Sequence, residues 1–208
     1  MCDLAKSVFR LTKILSPHAR TAHPTHVVRG KRRYHLLNAG KPRIYLIDEG
    51  VFLIRKTKDN KIVSVISSPT IVGWSIAMID QDIIYLEKVD YGKIRWMPLD
   101  VAMRIVTAYQ RFDDVLKIVN FRFQLLVNHC VDNSGDSISV VEKTLRSLNQ
   151  LPPDVRQRFT ALTYLSQYTS LSKSTINRVL KRLQHDGMIA LDRGRLIQFS
   201  DIRTDEQT

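Results

Sequence analysis

Cysteine is almost missing from this 208-residue chain, where Cys2 and Cys130 are the only two. Two thiols cannot build a disulfide framework, a four-thiolate zinc site or a four-thiolate iron–sulfur site, so both are read as free or buried thiols. Long hydrophobic runs are also missing. Arg, Lys, Asp or Pro interrupts every apolar stretch, well short of the ~20 residues that a membrane span requires. The start, Met1-Cys2-Asp3-Leu4-Ala5-Lys6, lacks the basic-then-apolar order of a secretory leader. The expectation is a cytoplasmic protein with no membrane partner. No phosphate loop, no Ser-His-Asp arrangement and no metal-ligand pair at helical spacing can be placed, which argues against an enzyme and against a bound cofactor. His18, His23 and His26 stand beside Pro17 and Pro24. Irregular histidines in a proline-bearing loop are read as solvated, and no metal site is expected.

Negative charge is scarce as well. Thirty-two Lys+Arg against 20 Asp+Glu gives +12, a field that concentrates polyanions such as nucleic acid. The charge is unevenly spread: residues 1–60 carry +9, 61–138 carry −1 and 139–208 carry +4. A neutral middle third is where a self-association surface belongs, since a strongly charged face opposes its own copy. The densest run is Arg29-Gly30-Lys31-Arg32-Arg33. Such a run is either a solvated face or a contact for DNA, an anionic ligand or an acidic surface of RNA polymerase.

From Lys41 to Trp96 the apolar residues form short β-branched and aromatic runs separated by turn residues. Strands are predicted at 44–47, 51–55, 62–66, 70–72, 83–87 and 93–96. Seven or eight strands in about 75 residues suggest a double-sheet roll or barrel. After Met97 the spacing becomes helical. Pro98 opens a helix through Val106, and a longer one is predicted from about Gln110 to Val131, roughly 33 Å long. Its stripe of Phe112, Leu116, Val119, Phe123, Leu126 and Cys130 steps by four and three. A helix that long exceeds what one small β domain covers, so the stripe is read as a homodimer seam, the alternative being that it packs only on its own chain. The breakers Asn133-Ser134-Gly135-Asp136-Ser137 mark a hinge. The predicted division is therefore a β roll over 1–109, a dimerisation helix over 110–132 and a third unit over 133–208.

In that third unit a helix is predicted over Ser139–Leu151, ended by Pro152-Pro153, with a short one at Asp154–Phe159. Ala161–Tyr168 makes a further helix, Thr169-Ser170-Leu171 a turn, and Ser172 caps another helix reaching about His185 or Asp186. Two short helices joined by a three-residue turn are a DNA-reading unit. Ile176, Val179, Leu180 and Leu183 form the inward face, leaving Lys173, Ser174, Asn177 and Arg178 toward solvent for base edges. Thr175 and Lys181 suit phosphate contact, and the cap Ser172 is counted with the DNA-binding residues. Gly187 stops the helix, and Met188–Leu191 and Leu196–Phe199 form a hairpin whose turn carries Arg193 and Arg195, two more candidates for phosphates or the minor groove. Helix-turn-helix plus basic hairpin is a winged helix. The alternative is an interaction module that uses the winged helix as a docking surface for protein.

This order of β roll, short helix, long helix and winged helix resembles the CRP/FNR superfamily of bacterial transcription regulators over nearly the whole chain. The segment Leu171-Ser172-Lys173-Ser174-Thr175-Ile176-Asn177-Arg178 looks like that family's recognition helix. Lys173 falls on its first reading Arg, Ser174 on its Glu and Arg178 on its later Arg, and only Arg178 keeps the residue type. Ser170 stands where the family's turn usually has Gly, which would strain the backbone if φ is positive there. The resemblance implies an α+β fold with an N-terminal double-stranded β-helix (jelly roll) of cyclic-nucleotide-binding type. It also implies a homodimer on double-stranded DNA at an inverted repeat.

The phosphate-binding cassette of cyclic-nucleotide-binding members is altered. Val72-Gly73-Trp74-Ser75 puts Trp74 where the family has Glu, and no Arg occurs between Arg55 and Arg95. Cyclic AMP would lose its charge-assisted hydrogen bonds. Gly73, Trp74 and Ser75 then either belong to turn and core or wall a changed pocket for a less charged effector. Iron–sulfur sensing lacks its cysteine cluster, and haem ligands cannot be placed. A narrower resemblance is to the enterobacterial branch called inhibitor of hydrogen peroxide resistance, which would link the regulator to oxidative-stress defence.

Overall fold

The computed structural model describes residues 3–75, 82–89, 91–132 and 135–200. Cys2 and the hinge residues Asn133 and Ser134 lie outside the described residues. The chain divides into two compact units, 1–127 and 128–208.

The first unit opens with helix α1, Asp3–Leu15, which buries Val8, Leu11 and Leu15 at steps of three and four. A 3-10 turn at Ser16–His18 leads into the strands, ten among the described residues. They are β1 (Arg20–Thr21), β2 (His26–Val28), β3 (Lys31–His35), β4 (Leu37–Asn38), β5 (Lys41–Ile47), β6 (Val51–Lys56), β7 (Ile62–Ser67), β8 (Thr70–Val72), β9 (Ile84–Lys88) and β10 (Ile94–Pro98). One antiparallel sheet runs β1-β10-β5-β4, with β8 also paired to β5; the other runs β2-β3-β9-β6-β7. Each predicted strand from Ile44 onward is present, the first beginning three residues earlier and the others within two residues of the predicted bounds, and the double-sheet roll is the observed architecture. The helix α1 and the strands before Lys41 were not predicted. Strands β1, β2 and β4 are two or three residues long, the first two exposed and β4 half-buried throughout, so they show no alternation for a sequence pattern to report.

The sheets enclose an aromatic-rich core of Tyr34, Tyr45, Phe52, Ile66 and Leu86. Neighbouring rings of Tyr34, Tyr45 and Phe52 meet edge to face at 6.1 Å. A second cluster joins α1 to Ile44, Leu46, Ile71, Trp74 and Met97 and to the two helices after the roll. These are α2, Leu99–Ala108, and α3, Phe112–Asp132, which is 21 residues and about 32 Å long.

The first turn of α3 is held by a buried carboxylate. Asp114 accepts from Ser7 Oγ at 2.7 Å and from Arg10 Nε at 3.0 Å, with a second contact from the same guanidinium. Arg10 holds this carboxyl below its ordinary value of 3.8 against the opposing effect of burial, and Ser7 assists. Because the folded group binds its proton less readily than the unfolded one, its contribution to stability is present above that value and is lost as pH falls. The melting temperature is expected to drop as pH is lowered below about 4, and Asp114→Asn should make that drop shallower. An identical pH profile for the variant would show that the Asp114 network does not contribute.

The second unit contains α4 (Ser137–Asn149), α5 (Pro153–Arg156), α6 (Ala161–Tyr168), α7 (Lys173–His185) and the hairpin β11 (Ile189–Asp192) with β12 (Arg195–Phe199). Asp136 caps α4 by accepting from the amides of Ile138 and Ser139. Helix α4 packs against α6, α7 and β12 and buries Val140, Val141, Leu145 and Leu148 as predicted. The ring of Tyr164 lies between Phe159 and Tyr168, each 5.4 Å away.

Candidate nucleic-acid interface

The reading unit is α6, its turn and α7. Thr160 caps α6 by accepting from Thr163 N at 3.1 Å. Thr169 ends it: its hydroxyl donates to Leu165 O at 2.8 Å and accepts from Leu171 N at 3.3 Å. One threonine therefore closes α6 and shapes the turn. Ser170 is not among the described residues with positive φ, so replacing the family's glycine there costs no left-handed strain. Ser172 caps α7 by accepting from Thr175 N at 3.1 Å, and its oxygen lies 2.9 Å from the hydroxyls of Ser174 and Thr175.

The inward face of α7 is buried as predicted: Ile176, Val179, Leu180 and Leu183. Ser172, Lys173, Ser174, Asn177, Arg178 and Lys181 are exposed, and Thr175 is half-buried. Between Lys173 and His185 the helix contains no acidic residue. Arg182 reaches Asp186 at 3.7 Å, whereas Lys173, Arg178 and Lys181 make no ion pair among the described residues. Unneutralised cations beside a helix N-terminus, whose dipole is positive at that end, make this half of α7 suited to a polyanion.

Gly187 has φ +70° and its amide donates to Gln184 O, ending α7 and releasing the chain into β11. The hairpin turn is Arg193-Gly194, with φ +47° and +77°, the left-handed pair that matches strand twist in a two-residue turn. Gly194 O accepts from Ala161 N at 2.7 Å, tying the turn to the start of α6. Arg193 and Arg195 are exposed on either side of it.

Two further predicted sites lie outside the reading unit. On α3, Phe112, Leu116, Phe123 and Leu126 are exposed by 42%, 55%, 64% and 48%. Cys130 is an exposed free thiol, and Val119 is partly buried against the roll core. On the adjoining face Val115 and Ile118 are buried in the roll, so α3 is apolar on two neighbouring faces and one of them is largely bare. In the roll, Trp74 is buried, Ser75 is exposed, and Gly73 has φ +114°. A Cβ on Gly73 would lie 2.4 Å from Arg43 O, which requires glycine there. All three line a cavity of about 340 Å³ between the strands and α3. Sequence reasoning did not find the one charged side chain in that lining, Arg122. Its signal was the spacing of Val115, Ile118, Arg122 and Leu125, an inward stripe in which one position is a cation.

The run 29–33 forms the β2–β3 turn and the start of β3. Lys31 Nζ meets Glu87 at 3.1 Å and the Arg33 guanidinium lies 4.7 Å from the Tyr85 ring centre, while Arg29 and Arg32 are exposed.

The double-sheet roll, long helix and winged helix-turn-helix are a fold found in solved transcription regulators, one of them assigned to the crp/fnr family. Residues 137–203 match the family described as winged helix-turn-helix DNA binding. Among solved structures, the chain is similar to the c-di-GMP responsive global regulator CLP of Xanthomonas campestris. The TM-score is 0.67 and the identity 15%, over 92% of this chain and 99% of that one. It is also similar to a Eubacterium rectale protein assigned to the crp/fnr family, with TM-score 0.63 and 12% identity, over 93% and 91% of the two chains. In sequence it is 23% identical to the inhibitor of hydrogen peroxide resistance of Escherichia coli K12 over 159 residues, 75% of this chain and 76% of that protein.

Proposed function

We propose that this chain is a sequence-specific DNA-binding transcription regulator that acts as a homodimer on an inverted repeat. The observation that carries the reading is the exposed N-terminal half of α7, where Lys173, Ser174, Asn177 and Arg178 stand clear of the core with no acidic neighbour on the helix. Arg and Asn there suit guanine and adenine edges, and Ser172, Thr175, Lys181, Arg193 and Arg195 suit phosphates. The bare stripe on α3 supports self-association. Two copies would place their recognition helices about one helical turn, ~34 Å, apart.

The domain division in this reading is a roll over 1–109, a dimerisation helix over 110–132 and a DNA-binding unit over 133–208. Cyclic AMP is not the effector: Trp74 replaces the expected carboxylate, and the roll strands supply no cation to the cavity. Exposed Arg29 and Arg32 suit an acidic surface of RNA polymerase. The likeness to an inhibitor of hydrogen peroxide resistance supports target genes in peroxide defence.

Selection of random duplex DNA by the purified protein tests the reading. An inverted-repeat motif should be enriched, and its affinity should fall about 10³–10⁵-fold between about 50 and 200 mM salt as phosphate counterions are released. Cyclic AMP should leave the binding curve unchanged. An unenriched pool, with salt-insensitive capture of a protein partner, would instead favour the docking role.

A further inference from the structure

The cavity in the roll is walled by aliphatic side chains, among them Leu36, Ile54, Val63, Ile71 and Ile84, yet two side chains of its lining each carry a buried donor with no hydrogen-bond acceptor among the described residues. These are Nε of Arg122 and Nε1 of Trp74. Arg122 comes from α3 and donates from Nη2 to Thr70 Oγ1 at 2.6 Å. Its guanidinium also lies 6.0 Å from the Phe121 ring centre, and no carboxylate partners it among the described residues. Burial lowers its pKa to about 10, so the guanidinium is still charged at neutral pH. Buried cations in proteins are normally paired, and buried N–H groups normally find acceptors. The lining of this cavity carries a positive charge and two donors without an acceptor just beneath its apolar surface.

What fits is a group that only accepts, carries one negative charge and is attached to an apolar body. An ionised carboxylate has two oxygens, no donor and the charge to match guanidinium. A nucleotide would instead lay ribose hydroxyls and base edges against isoleucine and valine. At about 30 Å³ per water-sized element, the volume suits a body of roughly a dozen non-hydrogen atoms.

We propose that the roll binds a small amphipathic monocarboxylate of medium-chain fatty-acid type, whose carboxylate meets Arg122 and the Trp74 indole N–H and whose chain fills the aliphatic cavity. The cavity shares Val119, Phe123 and Leu126 with the proposed seam of α3, but the proposal does not rest on DNA reading and its test uses no DNA.

The probe is decanoate below its micelle concentration, titrated calorimetrically into the full chain beside decanol and decyltrimethylammonium. Decanoate should bind once per chain, at least tenfold more tightly than decanol, and the cation should not bind. Arg122→Leu removes an unpaired buried charge without opening space, so the variant is expected to fold. It should bind decanoate no better than decanol. Trp74→Phe should weaken decanoate more than decanol. Equal binding of decanoate and decanol by the unaltered protein overturns the proposal whatever the variants do, as does a preference for decanoate that survives in Arg122→Leu.

Discussion

Glutamates at two bare positions of α3, Leu116→Glu with Phe123→Glu, should leave the protein folded but monomeric. The mass in light scattering is expected to be 24.0 kDa instead of twice that. Both side chains are more than half exposed in the single chain, so the changes cost the fold little. In a paired helix they bring four carboxylates into an apolar seam, where burying unpaired charge is strongly unfavourable. The spacing Phe112, Leu116, Val119, Phe123, Leu126, Cys130 runs four-three-four-three-four, the 3.5-residue period at which two helices keep one face toward each other. A monomer engages one half-site at a time, so operator affinity should fall by about 10²–10⁴, the usual gain from linking two binding events. A variant that keeps the doubled mass would show that the stripe is not the seam.

The second large effect is expected at Arg178. Arg178→Ala should cost about 1–3 kcal/mol at the selected operator, roughly 5- to 150-fold in affinity, and much less on unrelated DNA. Arg193→Ala should weaken both kinds of DNA alike and lower the salt slope by about one, as loss of a phosphate contact does. The contrast between the two variants, measured by competition binding at fixed salt, separates base reading from positioning. Unchanged selectivity in Arg178→Ala would remove α7 from the reading role. Both side chains are exposed, so neither change should lower the melting temperature appreciably.

Much of this architecture is written in local chemistry. The winged helix is legible because its signals are short-range: the Thr160 and Ser172 caps, the three-and-four spacing of the α7 core and the Gly187 stop each act within a turn or two of chain. Strands β5 to β10 are legible because they are buried runs of β-branched and aromatic residues bounded by turns. Helix α1 carries its own period in Val8, Leu11 and Leu15, a local signal of the same kind. The Asp114 network is a different matter, since it joins residues 104 and 107 positions apart, a pairing that only the folded chain reveals. Arg122 was illegible for a related reason. A lone arginine on a helix looks like surface charge until the strands that bury it are in place.

The hydrogen bond from Ala161 N to Gly194 O joins the end of the wing to the first residue of the reading unit. A hairpin secured at its turn has little freedom to swing independently of α6, so Arg193, Arg195 and the exposed side of α7 are presented as parts of one stiff die. On the DNA-reading proposal, a stiff die cannot mould itself to a duplex of the wrong shape, and the duplex must bend or change groove width instead. That deformation costs different sequences different amounts. Base pairs that no side chain touches would then contribute to operator choice, through how readily they yield.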